Sequence, residues 1–246
     1  MIIGIDLGTT NSAVAVYENG RAVMIPNRQG KRTIPSVFQV KSNGGDGFGQ
    51  AARKSAPSLP HHTVMEVKRL IGTEEVVTIG EKTYRPEEIS SKILRELRQS
   101  AEDYLNTNVE EAVITVPAYF TDAQRKATRD AGILAGLKVE RIINEPTAAA
   151  LAFSYEHLEN DRHLLVYDFG GGTFDVSIIE VFDGVVQVLS SAGDNALGGA
   201  DFDAKIIEFI EHTFEVENGY AMKTITNDEK MLEYSLKQVA EDVKKQ

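Results

Sequence analysis

The feature that most constrains this chain is a short pattern that occurs twice. Near the start stands Gly4-Ile5-Asp6-Leu7-Gly8-Thr9-Thr10-Asn11-Ser12; past the midpoint stands Tyr167-Asp168-Phe169-Gly170-Gly171-Gly172-Thr173-Phe174-Asp175-Val176-Ser177. Each copy reads as an apolar strand ending in Asp, a turn of Gly and Thr, and a second β-branched strand. Each is therefore a hairpin whose tip bares backbone N–H groups, and bared amides bind anions. Two such hairpins facing each other, each with an Asp at its base, would hold a polyphosphate between them. A divalent cation would sit, through water, between the carboxylates. The expected product is a nucleotide cleft.

Taken singly, either copy is ordinary turn chemistry, in which Gly-Gly or Gly-Thr reverses the chain and Asp bonds its own backbone. The duplication is what favours the phosphate reading. No Gly-x-x-x-x-Gly-Lys-Ser/Thr loop occurs. The cluster Gly44-Gly45-Asp46-Gly47-Phe48-Gly49 fits neither that loop nor the dinucleotide fingerprint, and is expected to be a flexible turn.

With 246 residues, 42% hydrophobic and 26% charged, the chain has enough apolar material for one large or two medium cores. The formal charge of −11, from 26 basic and 37 acidic residues, argues against a nucleic-acid surface. There is no cysteine, so disulfides and thiolate metal sites are excluded. Met1 runs straight into Ile2-Ile3-Gly4-Ile5 without a basic leader, and no apolar run has the length of a membrane span. The expected setting is cytoplasmic, with no membrane partner.

Along the chain, residues 2–7, 12–17 and 23–26 read as a β-meander. A Gly-, Pro- and Ser-rich stretch leads to a short helix around Val64–Ile71 and a β-like segment, Val76–Tyr84. Pro86 opens an amphipathic helix carrying Ile89, Ile93, Leu97, Ala101 and Leu105. Val113–Val116 is a strand closed by Pro117, and Thr121-Asp122-Ala123-Gln124 is a capping box for a helix that stops near Gly136. Residues 139–143 form another strand, and Pro146 starts a further helix. The hairpin pattern restarts at Leu164, with strands at 164–169, 174–181 and 185–190 and a helix from Asp201 to Phe214. Asn227 is expected to cap a last helix, which carries no stop signal before Gln246. The order describes a mixed α/β sheet with helices on its faces, duplicated, with the second copy incomplete. The expected division is a first core (residues 1–35 and 86–158), an insert (36–85), a partial second core (159–198) and a truncated second insert (199–246).

The doubled hairpin is joined by Val67-Lys68-Arg69-Leu70-Ile71-Gly72, Val116-Pro117-Ala118-Tyr119-Phe120, Asn144-Glu145-Pro146-Thr147-Ala148-Ala149-Ala150 and Leu197-Gly198-Gly199-Ala200-Asp201-Phe202-Asp203. Together these closely resemble the ATPase domain of DnaK-type heat-shock protein 70 chaperones, from Met1 to Gln246. The resemblance implies the duplicated actin-like ATPase (ribonuclease H-like) fold, two lobes around a nucleotide cleft, with the second lobe incomplete. It implies ATP/ADP and Mg2+ as ligands, with K+ as a further cation. Gly8, Thr9, Thr10, Asn11, Gly170, Gly171, Gly172, Gly198 and Gly199 would cradle the nucleotide. Asp6, Glu145 and Asp168 would hold the metal through water.

Lys68 would serve the γ-phosphate and attacking water, while Thr173 and Asp175 would orient that water. Read without the resemblance, Lys68 is a solvated lysine, Glu145 a carboxylate favoured at a helix N-terminus, and Thr173 and Asp175 hairpin pairs. Pro117 and Arg125 would relay nucleotide state outward, and Arg141 and Asn144 match positions near the J-domain contact. Glu241, Lys244 and Lys245 match, approximately, the helix flanking adenine and ribose. Implied partners are a J-domain cochaperone, a nucleotide exchange factor and unfolded client peptides held by a separate substrate-binding part. His61, His62, His157, His163 and His212 show no metal-ligand spacing. The rival readings are a small-molecule kinase of the same superfamily, which would need a carboxylate base aimed at a hydroxyl, and a polymerising actin-like protein.

Overall fold

The computed structural model describes residues 1–155, 161–183 and 185–245; His157 and Gln246 therefore lie outside the described residues. Strands β1 (Ile2–Asp6), β2 (Asn11–Glu18) and β3 (Arg21–Met24) form the expected meander, and β4 (Ile34–Pro35) pairs with the start of β2. In β1 the pleat sends Ile3 and Ile5 into the core and Ile2, Gly4 and Asp6 outward.

The next segment folds into small pieces. Strand β5 (Phe38–Val40) lies between β6 (Asp46–Phe48) and β7 (Thr63–Val64), helix α1 (Gly49–Ser55) follows β6, and β8 (Val77–Ile79) with β9 (Lys82–Tyr84) makes a ribbon. The glycine cluster expected as a turn is thus partly strand. The short helix expected at Val64–Ile71 is a single 3-10 turn, Val67–Leu70, because β7 takes Val64 and Glu66 enters at a left-handed φ of 57°. A residue so placed interrupts helical hydrogen bonding, leaving one tight turn that carries Lys68 and Arg69.

Helix α2 (Pro86–Leu105) begins at Pro86, with the Glu88 carboxylate accepting from the Arg85 amide at 2.7 Å. Its stripe of Ile89, Ile93, Leu97 and Ala101 is buried against Ile3, Ile5, Val14 and Val16. Full burial of each of Ile89, Ile93 and Leu97 stabilises the fold by about 1.5–3 kcal/mol. Strand β10 (Glu111–Val116), helix α3 (Asp122–Leu134) and strand β11 (Lys138–Asn144) form a crossover, with Thr121 capping α3 as expected. Both β10 and β11 run parallel to β1, giving the sheet order β11-β10-β1-β2-β3. Helix α4 (Glu145–Tyr155) starts where β11 stops.

Strands β12 (Arg162–Phe169), β13 (Phe174–Phe182) and β14 (Val185–Asp194) form a second antiparallel sheet. Apolar Leu165, Tyr167 and Leu189 of this sheet remain exposed. Helices α5 (Gly199–Asn218) and α6 (Glu229–Lys244) pack on each other. The cap of α6 is Asp228, not Asn227: its backbone is extended and its Oδ1 accepts from the Met231 amide at 3.0 Å. The described α6 ends at Lys244, with Lys245 as its cap. The architecture is mixed α/β with several sheets.

Candidate functional site

The two glycine turns meet. The first, between β1 and β2, closes so tightly that a Cβ on Gly8 would lie 2.0 Å from the Asn11 carbonyl oxygen. The second, between β12 and β13, closes with the Gly170 amide donating to the Thr173 carbonyl at 2.9 Å. A Cβ on Gly171 would lie 1.9 Å from Thr10 Oγ1, and one on Gly172 2.6 Å from Thr9 Cγ2. Absence of side chains is therefore what lets the two tips touch. The start of α5 braces the second tip: the Gly199 amide donates to the Gly170 carbonyl at 3.0 Å and the Ala200 amide to the Gly171 carbonyl at 2.9 Å.

Below the tips lies a cavity of about 380 Å³. Asp6, Gly8, Thr9, Thr10 and Asn11 line it from the first hairpin, and Asp168, Gly170, Gly171 and Thr173 from the second. Lys68, Thr115, Glu145 and Ala148 complete the wall. Gly172, Asp175, Gly198 and Gly199 stand just behind it: Gly172 against Thr9, Gly198 against the backbone of Gly171 and Gly172.

The cavity concentrates carboxylates around one ammonium. Lys68 Nζ donates to Glu145 Oε1 at 2.9 Å, and both side chains are largely withdrawn from water. Burial pushes the Glu145 carboxyl above its ordinary value against the pull of Lys68, with Asp6 and Asp168 adding to the rise. Asp168 is raised by burial and by Asp6. Asp175 is raised by burial and by Asp168, although the amides of Ala118 and Tyr119 donate to it, and its Oδ1 is buried without a partner. Such a set is poised to gain from a cation.

Those two amides belong to the turn after β10. Arg125 holds that turn from α3, donating from Nε to the Phe120 carbonyl and from Nη2 to the Ala118 carbonyl, each at 3.0 Å. Pro117 begins the turn, its carbonyl accepting from the Phe120 amide at 3.2 Å. Asn144 pairs with Val116 at the end of β11, directly before Glu145. Arg141 sits exposed, farther back on the same strand.

The α6 residues are placed differently. Glu241 pairs with Arg53 of α1 and with Lys245. Lys244 pairs with Asp203 at 2.7 Å and donates to the Gly199 carbonyl at 2.8 Å. Glu241 lines a second, smaller cavity with Val37, Met65, Ala204 and Ile207, adjoining the first through Thr9 and Thr10. None of Glu241, Lys244 and Lys245 lines the main cavity.

Sequence reasoning missed Thr115, whose hydroxyl donates to Asp6 Oδ1 at 3.3 Å; its polarity within Val113-Ile114-Thr115-Val116 was the available signal. It also missed the fork of Arg69 on Asp201, at 3.1 and 2.7 Å. No local pattern announces that contact, because its partners are 132 residues apart.

A family model described as Hsp70 protein matches residues 2–77 and 74–246 of this sequence. The chain belongs to the Hsp70 family. Members of that family are chaperones with an ATPase domain that binds ATP or ADP with Mg2+. They generally work with J-domain cochaperones, nucleotide exchange factors and client proteins.

The residues of this Hsp70 chain fit magnesium. The donors around the cavity are hard oxygens, among them the carboxylates of Asp6, Glu145 and Asp168, the last two held above their ordinary pKa. Among the described residues, no three His, Asp or Glu side chains converge closely enough to hold an ion by themselves. An ion that keeps several waters and takes oxygens from phosphate does not require them to. Among the described residues, no helix is long and apolar enough to cross a membrane.

Proposed function

We propose that this chain binds Mg·ATP between its two glycine hairpins and hydrolyses it, as the nucleotide-binding part of a DnaK-type chaperone. In this reading the fold is the actin-like duplication. Residues 1–35 and 86–158 are the first core, 36–85 its insert, 159–198 the second core and 199–246 its insert. The observation that carries the reading is Lys68 and the carboxylates Asp6, Glu145 and Asp168 around one cavity beneath two amide-rich tips.

The amides of the two tips, with Thr9, Thr10 and Asn11, grip phosphate oxygens. Asp6, Glu145 and Asp168 would hold magnesium through its waters, and the ion would supply charge neutralisation to the phosphates, with K+ as a further counter-cation. Lys68 offers a fixed ammonium to charge that grows on the transferring phosphate; one such preorganised group is worth on the order of a hundredfold in rate. Thr173 and Asp175 orient the attacking water at the mouth of the second hairpin.

Glu145 links this chemistry outward. It contacts Lys68 and follows Asn144, and the turn from Pro117 to Phe120 touches Asp175 while Arg125 grips its carbonyls. A change in phosphate occupancy would move that turn and α3 together. J-domain proteins would meet this outer region near Arg141 and Asn144, exchange factors would reopen the cleft, and client peptides would be caught and released in the cytoplasm.

Single-turnover assays with Mg·ATP test the reading. Phosphate released to water and accelerated by a J-domain protein is the expected result. Transfer to a sugar, or turnover that depends on self-association, would replace it with the kinase or filament reading.

A further inference from the structure

Lys68 has a second neighbour to which the ATPase reading gives no task. Its Nζ lies 5.5 Å from the centroid of the Phe120 ring. Both residues are only 6% exposed, so this contact is made almost out of water. The ring is itself immobilised. It packs with Ile71 and Val116, against Ala127 and Ile142, and its backbone carbonyl is the one that Arg125 Nε holds.

A cation over an aromatic face is attracted by the ring quadrupole, and the attraction strengthens as water is removed. Lysine carries its charge on a flexible four-carbon stem, so one ion pair with Glu145 leaves the ammonium free to swing about that oxygen. A carboxylate and a ring together define its place. An aliphatic side chain could fill the same apolar cluster, but it has no quadrupole to hold a cation.

We propose that Phe120 is a positioning residue for ATP hydrolysis, its ring fixing the Lys68 ammonium toward the phosphate-binding cavity. The proposal rests on the ATPase reading above. Phe120 touches no reacting atom and acts through Lys68. The turn that supports Asp175 by its amides therefore also sets Lys68 by a ring, so one short segment holds both groups.

The test compares Phe120→Leu with Phe120→Tyr in the chain as it stands, with melting followed for each. Phe120→Leu is expected to lower kcat about tenfold while leaving KM for ATP within about twofold, and Phe120→Tyr to recover most of the wild-type kcat. Should Phe120→Leu melt before assay temperature, Phe120→Met replaces it with the same expectation. NMR supplies a readout independent of turnover. The ε-methylene protons of Lys68, assigned by Lys68→Arg, should be shifted upfield by the ring in wild type and lose that shift in the aliphatic variant. An unchanged kcat in the aliphatic variant, equal losses in the Leu and Tyr variants, or Lys68 protons without a ring shift would each overturn the positioning role alone. A wild-type chain that releases no phosphate overturns the ATPase reading and this proposal together.

Discussion

Lys68 and Glu145 lie 77 residues apart in the chain and meet at 2.9 Å, each largely buried. The pair joins the 3-10 turn Val67–Leu70 to the first residue of α4, so it spans the cavity wall. Burial costs both charges hydration, and each offsets the other's cost. Lys68→Ala should therefore reduce single-turnover hydrolysis by about a hundredfold or more, while Mg·ATP binding measured by calorimetry stays within several-fold. Equal losses in binding and turnover would mean that the ammonium binds ground state and transition state alike.

Asp168 gives a pH dependence whose sign is determined. Burial and Asp6 raise its carboxyl, so the folded chain keeps that proton to a higher pH than the unfolded chain does. Across the window between the ordinary carboxylate value and the raised one, the folded state binds more protons. This group's contribution to stability therefore falls as pH rises through the window. Asp168→Asn should raise Tm by about 1–3 °C at neutral pH, and the difference should vanish in acid, where the wild-type group is protonated in both states. A difference that persists unchanged into acid would show that charge is not the cause. Mg·ADP should stabilise wild type more than the variant.

Gly198 tests the brace behind the second hairpin. A Cβ there would lie 2.4 Å from the Gly172 amide nitrogen and 2.5 Å from the Gly171 carbonyl carbon, both backbone atoms that cannot step aside. Gly198→Ala should cost about 1–3 kcal/mol in denaturant unfolding and weaken nucleotide binding by displacing the tip. Wild-type stability and affinity in that variant would mean the tip is looser than this packing implies.

The fork of Arg69 on Asp201 bridges the Lys68 turn to the start of α5. The guanidinium holds the Asp201 carboxyl below its ordinary value, and the Gly198 amide donates to the same carboxylate. Both side chains are partly exposed, so the pair is worth about 1 kcal/mol or less. Arg69→Ala should speed release of a fluorescent ADP by a few-fold, and Arg69→Lys should not rescue it, because an ammonium cannot make the fork. Stopped-flow displacement measures this directly; unchanged release in Arg69→Ala would show that the bridge does not gate the cleft.

Both hairpins, the α2 stripe, the Thr121 capping box and the β10-α3-β11 crossover were legible in the residues, because each is built from periodicity, caps and turns that repeat over short sequence distances. Errors fell where local rules compete. Val64 could continue a helix but is taken by strand pairing with Phe38, and Asn227 could cap α6 but its neighbour Asp228 has the extended backbone that reaches Met231. Tertiary structure alone decided which charges face one another. Parallel pairing of β1, β10 and β11 brings Asp6 and Glu145 to one edge, and only when the 3-10 turn and β12 pack there do Lys68 and Asp168 meet them. Short-range periodicity records which face of an element is apolar; it holds no record of the field that many elements build at the place where they end.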